Sequence, residues 1–102
     1  MARMVVLYKP PKDPVAFQDY YFATHVPIAK RIPGLRKYEV SQGAVASPGG
    51  PSGVHLVAIL HFDDMAAVGR AFSSEEGKAA VADVGTFATG GVDILMFDQR
   101  EV

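Results

Sequence analysis

Residues 54–62, VHLVAILHF, constrain the chain most. The run is rich in aliphatic and β-branched side chains and far too short to cross a bilayer, so it reads as a strand. Alternation puts His55, Val57, Ile59 and His61 on one face, and Val54, Leu56, Ala58, Leu60 and Phe62 on the other. Both faces are apolar apart from the two histidines. Such a strand lies mid-sheet and needs cover on both sides. Helices on one side leave the other bare, so something else, such as another sheet, has to cover it.

The remaining elements fall around this strand. Residues 4–9, MVVLYK, form a strand stopped by Pro10 and Pro11. Asp13 offers an N-cap and Pro14 a first helical position for a helix over 14–31. Pro27 lies inside that helix and predicts a kink or break near His25, with Val26 pushed out of α geometry. Pro33-Gly34 ends the helix, and 35–45 reads as a second strand. Residues 46–53, ASPGGPSG, predict a mobile loop. Asp63-Asp64 caps a helix with Met65, Val68, Gly69 and Phe72 as its apolar stripe. Ser73 and Glu76 have capping-box spacing and restart a helix towards Val84. Residues 92–100 are the last strand. The order β-α-β-β-α-β gives an α+β, ferredoxin-like fold: a four-stranded antiparallel sheet with two helices on one face.

Chemistry concentrates in the first helix. On a helical wheel Tyr21, Thr24, His25, Ile28 and Ile32 fall near Phe17, so His25 sits inside an apolar stripe. A histidine there has its pKa lowered by its surroundings and can serve as base and acid in turn. Tyr8 or Tyr21 is placed to orient a substrate carbonyl. Asp83 is either a surface acid or a group that orients a histidine. The plain structural alternative is a core histidine bonded to backbone.

Other chemistries find little support. His55 and His61 stand about 20 Å apart along one strand and cannot share a metal within one chain. The glycine pairs 49–50 and 90–91 lack the strand and helix of a phosphate loop, so nucleotide cofactors are not expected. No serine-nucleophile signature occurs, and the chain has no cysteine. A length of 102 residues suits one domain over 1–102. Mean hydropathy of +0.14 is high for a small monomer. A net charge of −1 without a basic run disfavours nucleic acid. Neither a membrane span nor a signal peptide is apparent, which predicts a cytoplasmic protein.

Several residues occur in a familiar order: Phe17, Tyr20-Tyr21, His25-Val26-Pro27, Ile32-Pro33-Gly34-Leu35 and Tyr38. Phe62-Asp63-Asp64-Met65, Ser73-Ser74-Glu75-Glu76-Gly77, Asp83 and Phe87 follow. Together they resemble the EthD family of the dimeric α+β barrel superfamily, over essentially the whole chain. The resemblance implies a homodimer in which two four-stranded sheets close into a barrel. The family's name comes from a gene cluster for breakdown of a fuel ether. Related families include cofactor-free decarboxylases, dehydratases, oxygenases, cyclases and isomerases, and no one of these roles transfers automatically. Residues and resemblance together predict a small cofactor-free enzyme for a hydrophobic or aromatic, polyketide- or lactone-like molecule, acting by proton transfer or oxidation. His25 and Asp83 are the expected catalytic residues; Tyr8, Tyr21, His61 and Phe87 are expected to bind substrate, with no metal. The alternative is a non-catalytic binding or accessory protein using the same pocket.

Overall fold

The structure, a computed structural model, describes residues Met1–Val102. Strand β1 (Ala2–Tyr8) alternates strictly, burying Ala2, Met4, Val6 and Tyr8. After the two prolines, Asp13 caps α1 (Pro14–Tyr20), its carboxylate accepting the Ala16 amide at 3.1 Å.

Pro27 does not break the helix. One π-helical turn (Tyr21–His25) follows α1 and leads directly into α2 (Val26–Ala29). The Val26 amide reaches back five residues to the Tyr21 carbonyl. Val26 keeps helical backbone angles, φ −57° and ψ −47°, against the expectation for a residue before proline. The extra residue in the turn absorbs the register that proline would otherwise disrupt, and Pro27 falls in the first turn of α2, where its missing amide costs little.

Strand β2 (Lys37–Val40) is shorter than the expected 35–45. The segment predicted to be a mobile loop contains a small hairpin, β3 (Ala46–Ser47) and β4 (Gly50–Pro51). Ser47 Oγ donates to the Gly50 carbonyl at 2.8 Å, and Ser52 Oγ to the Val45 carbonyl at 2.6 Å. Strand β5 (Leu56–Phe62) is the core of the two-faced run. Asp64 caps α3 (Met65–Ser73), and Ser74, not Ser73, caps α4 (Glu75–Phe87) by accepting the Gly77 amide at 3.0 Å. The chain closes with β6 (Val92–Asp98).

The four long strands order as β2-β5-β1-β6, every neighbouring pair antiparallel. This is the ferredoxin-like arrangement. Register places Tyr8 opposite Leu56, Val6 opposite Ala58 and Met4 opposite Leu60. Those side chains form one core with Phe17, Tyr21, Ala67, Val68, Ala71, Ala80 and Phe87 from the helical layer. The opposite sheet face carries Val5, Leu7, Val57 and Ile59, half-buried, and Leu95 and Phe97, exposed by 53% and 43%. Strand β5 is thus apolar on both faces, and the helices cover one of them.

Candidate active site

His25 closes the π-helical turn and points into the core, only 4% exposed. Across from it, α4 presents Asp83. The His25 Nδ1 lies 2.9 Å from Asp83 Oδ2. An ionised carboxylate only accepts, so Nδ1 carries the proton and donates it to Asp83. The lone pair of the neutral ring is then on Nε2. That nitrogen has no protein partner and is not sealed in, since every sealed side-chain polar atom is hydrogen-bonded. It opens on a cavity between the helices and the sheet.

Burial lowers the His25 pKa, and the bond and charge of Asp83 oppose that drop. The ring therefore rests as the neutral base at neutral pH, with a counter-charge in place to hold a second proton.

The cavity wall is apolar except for His25 and the hydroxyls of Tyr8 and Tyr38. Tyr8 is 2% exposed, yet its hydroxyl makes no hydrogen bond and faces the cavity. Its pKa is driven well above the ordinary tyrosine value, mainly by burial, so it stays a donor. The Tyr38 hydroxyl meets that of Tyr21 at 2.6 Å. Burial raises both of their pKa values as well. The space for water-sized molecules is about 40 Å³, enough for a few waters. Among its lining residues Val81 of α4 and Ile94 of β6 are the most exposed, at 51% and 41%.

The fold brings together most of the residues singled out in the sequence. His25 and Tyr8 line the cavity, and Asp83 is bonded to His25 without lining it. Phe87 packs its ring 4.6 Å from the His25 ring and also against Tyr8, behind the cavity and not on its wall. Tyr21 lies against His25 at 5.3 Å and commits its hydroxyl to Tyr38.

His61 is not brought to this site. Leu60 faces the helices, so its neighbour must face the opposite side of the sheet, and there His61 Nε2 meets Glu39 at 2.6 Å. Thr24, expected in the apolar stripe, is exposed, because the π turn shifts the wheel after Tyr21.

Two participants were not singled out for chemistry. Tyr38 figured only among the residues that carry the family resemblance. Tyr20 donates its hydroxyl to Asp83 Oδ1 at 2.6 Å, a bond across 63 residues that no local pattern announces.

A broader hollow of about 870 Å³ lies beside the hairpin, lined by loop residues with Gln18 and His55. Gln18 bonds His55 at 3.1 Å, and no acid–base pair faces that hollow. Nowhere do three His, Cys, Asp or Glu side chains converge in the manner of a metal site. No helix is long and apolar enough to cross a membrane.

Comparison with known proteins fits this geometry. A protein from Rhodococcus erythropolis, described as an uncharacterized 11.0 kDa protein in the thcB-thcC intergenic region, is 37% identical. The match covers 100% of this chain and 98% of that one. The crystal structure of an EthD family protein from Bacillus halodurans superposes with a TM-score of 0.89 at 34% identity, over 98% of this chain and 99% of that one. SnoaB from Streptomyces nogalater, a cofactor-independent oxygenase, shares the fold at a TM-score of 0.68 and 17% identity, covering 99% of this chain and 94% of its own. Residues 9–91 match the EthD domain, a span that takes in His25, Tyr38 and Asp83, and the chain belongs to the EthD family.

Proposed function

We propose that the chain is a small enzyme that moves a proton on a neutral, apolar or aromatic molecule, with His25 as the base and no cofactor of its own. The observation that carries this is the free Nε2 of His25 on an apolar cavity, with Nδ1 held by Asp83. A substrate with an acidic C–H or phenol O–H next to a carbonyl gives that proton to Nε2. The electron pair ends on oxygen: the carbonyl oxygen as an enolate, or the phenol oxygen as a phenolate. The free Tyr8 hydroxyl, a donor on an apolar wall, stabilises the oxygen as charge develops. Asp83 stabilises the imidazolium, which returns its proton to the substrate at a second position.

The substrate is neutral. No lysine or arginine lines the cavity, and the only charge beside it is the Asp83 carboxylate. A small-molecule site of a few hundred Å³ has to open from the present cavity, and the exposure of the lining residues Val81 and Ile94 supports entry on that side. The likeness to SnoaB supports a further step for electron-rich aromatics, in which the carbanion reacts with dioxygen. The second reading is an accessory binding protein that uses the same pocket without catalysis.

We also infer a homodimer, closed over the sheet face that the helices leave bare. The apolar Val5, Val57, Ile59, Leu95 and Phe97 on that face support it.

The test incubates wild type and His25→Asn with neutral phenols, aryl ketones and lactones in deuterated water. Deuterium incorporation is read by NMR and dioxygen uptake by electrode. Exchange in the wild type and none in a folded His25→Asn is expected. Equal binding with no exchange in either protein selects the accessory role.

A further inference from the structure

We propose that Tyr20 is the positioning residue of the His25 base, its hydroxyl locking the Asp83 carboxylate that orients the imidazole; this rests on His25 being the base. The two carboxylate oxygens are divided between two donors. His25 Nδ1 holds Oδ2 at 2.9 Å and Tyr20 Oη holds Oδ1 at 2.6 Å. The carboxylate cannot rotate without losing both bonds. The Phe87 ring packs against both donors, 5.6 Å from Tyr20 and 4.6 Å from His25.

The π-helical turn is what allows this sharing. Tyr20 and His25 are five residues apart, and in a regular α-helix such residues point about 140° away from each other. The wider turn over Tyr21–His25 brings them to one side, where a single carboxylate reaches both. Consecutive tyrosines thereby take separate roles. Tyr21 turns inward to Tyr38, and Tyr20 stands behind Asp83 on the solvent side.

The electrostatics agree with the geometry. The bond to Asp83 raises the Tyr20 pKa, which keeps the phenol protonated and always a donor. The groups facing His25 are Asp83 from α4, Tyr8 from β1, Tyr38 from β2 and Tyr21 from its own helix. The tyrosines are neutral, so the imidazole titration reports on Asp83. Removing the Tyr20 hydroxyl leaves the carboxylate's charge undivided and makes it a stronger partner for the imidazolium.

The experiment is a proton NMR titration of His25 in the absence of substrate. The resonance is assigned by its disappearance in His25→Asn. Tyr20→Phe keeps the ring against Phe87 and should move the midpoint up by about half a pH unit, a roughly threefold gain in proton affinity. Asp83→Asn should move it down. A midpoint in Tyr20→Phe that stays put or falls, with the fold intact, overturns the proposal. Because no substrate is needed, that failure is separate from a failure of the deuterium-exchange test, which judges His25 itself.

Discussion

The hydroxyls of Tyr21 and Tyr38 lie 2.6 Å apart and tie the first helix to the outer strand β2. The two ends of this bond are not equivalent. Tyr21 is fully buried, whereas Tyr38 is half-buried and borders the cavity. Tyr38→Phe leaves the Tyr21 hydroxyl without a partner in the core and should cost about 1–3 kcal/mol. Tyr21→Phe leaves a hydroxyl that cavity water can satisfy and should cost less, about 0.5–1.5 kcal/mol. The double variant should lie close to the milder single one, giving a coupling visible in a urea-unfolding cycle. Strictly additive losses would mean that the bond does not form in solution.

Stability should fall with pH because of His25. Burial holds its folded pKa below the ordinary value of 6.5. The unfolded chain therefore takes up the proton first as pH drops. Above pH 6.5 the residue contributes no slope. Below it, stability declines until the folded protein also binds the proton, and this residue then adds no further loss. Glu39 and Asp63 are held below their ordinary values by His61 and Arg36 respectively, so their contributions disappear only in the lower carboxylate range. Urea midpoints measured between pH 7.5 and 5 should slope in the wild type and flatten in His25→Asn. Equal slopes in the two proteins would assign the pH dependence to other groups.

The strands were legible because their signal is the two-residue alternation of side chains, and β5 and β1 follow it without exception. The prediction that β5 lacks cover on one side follows from the same alternation. Alternation alone does not say which face meets the helices, which is why His61 was expected beside His25 and lies on the far side of the sheet. The π turn was hidden for a related reason. Pro27 signals that the α ladder must adjust, but a break and one extra residue per turn solve the problem equally well. His25 and Asp83 were visible as residue types. The bond from Tyr20 joins elements distant in sequence, and only the packing of α4 beside the first helix creates it. The cap of α4 shifted by one residue because Ser73 and Ser74 both offer a hydroxyl, and α3 extends through Ser73.

Two glycines on adjacent helices should respond oppositely to alanine. Gly77 sits in the first turn of α4, where a Cβ would lie 2.9 Å from the Ala71 carbonyl carbon and from the Phe72 Cα. Both contacts are backbone and cannot swing aside. Gly77→Ala should destabilise by about 1–3 kcal/mol, although alanine is the better helix former. Gly69 in α3 is exposed and a Cβ there meets nothing within 4 Å. Gly69→Ala should stabilise by up to about 1 kcal/mol. Thermal and urea unfolding of the pair would check both signs, and a stabilising Gly77→Ala would mean that the α3–α4 corner is more open than this.

Adjacent residues of β5 offer the sharpest test of the two faces. Leu60 is 5% exposed and pairs with Met4 under the helices. An aspartate there has no counter-charge, and its burial costs several kcal/mol, a large share of a small domain's total of about 5–15 kcal/mol. Leu60→Asp should therefore fail to give soluble, cooperatively folding protein. Ile59 points to the open face and pairs across the strands with Val5 and Glu39. An aspartate at that position stays hydrated in a single chain, so the fold survives. In a two-fold dimer closed over that face the same substitution places two new carboxylates in one apolar interface. Sedimentation at micromolar concentration should show a dimer for the wild type and a folded monomer for Ile59→Asp. A monomeric wild type, or an Ile59→Asp protein that still sediments as a dimer, would move the interface away from this face of the sheet.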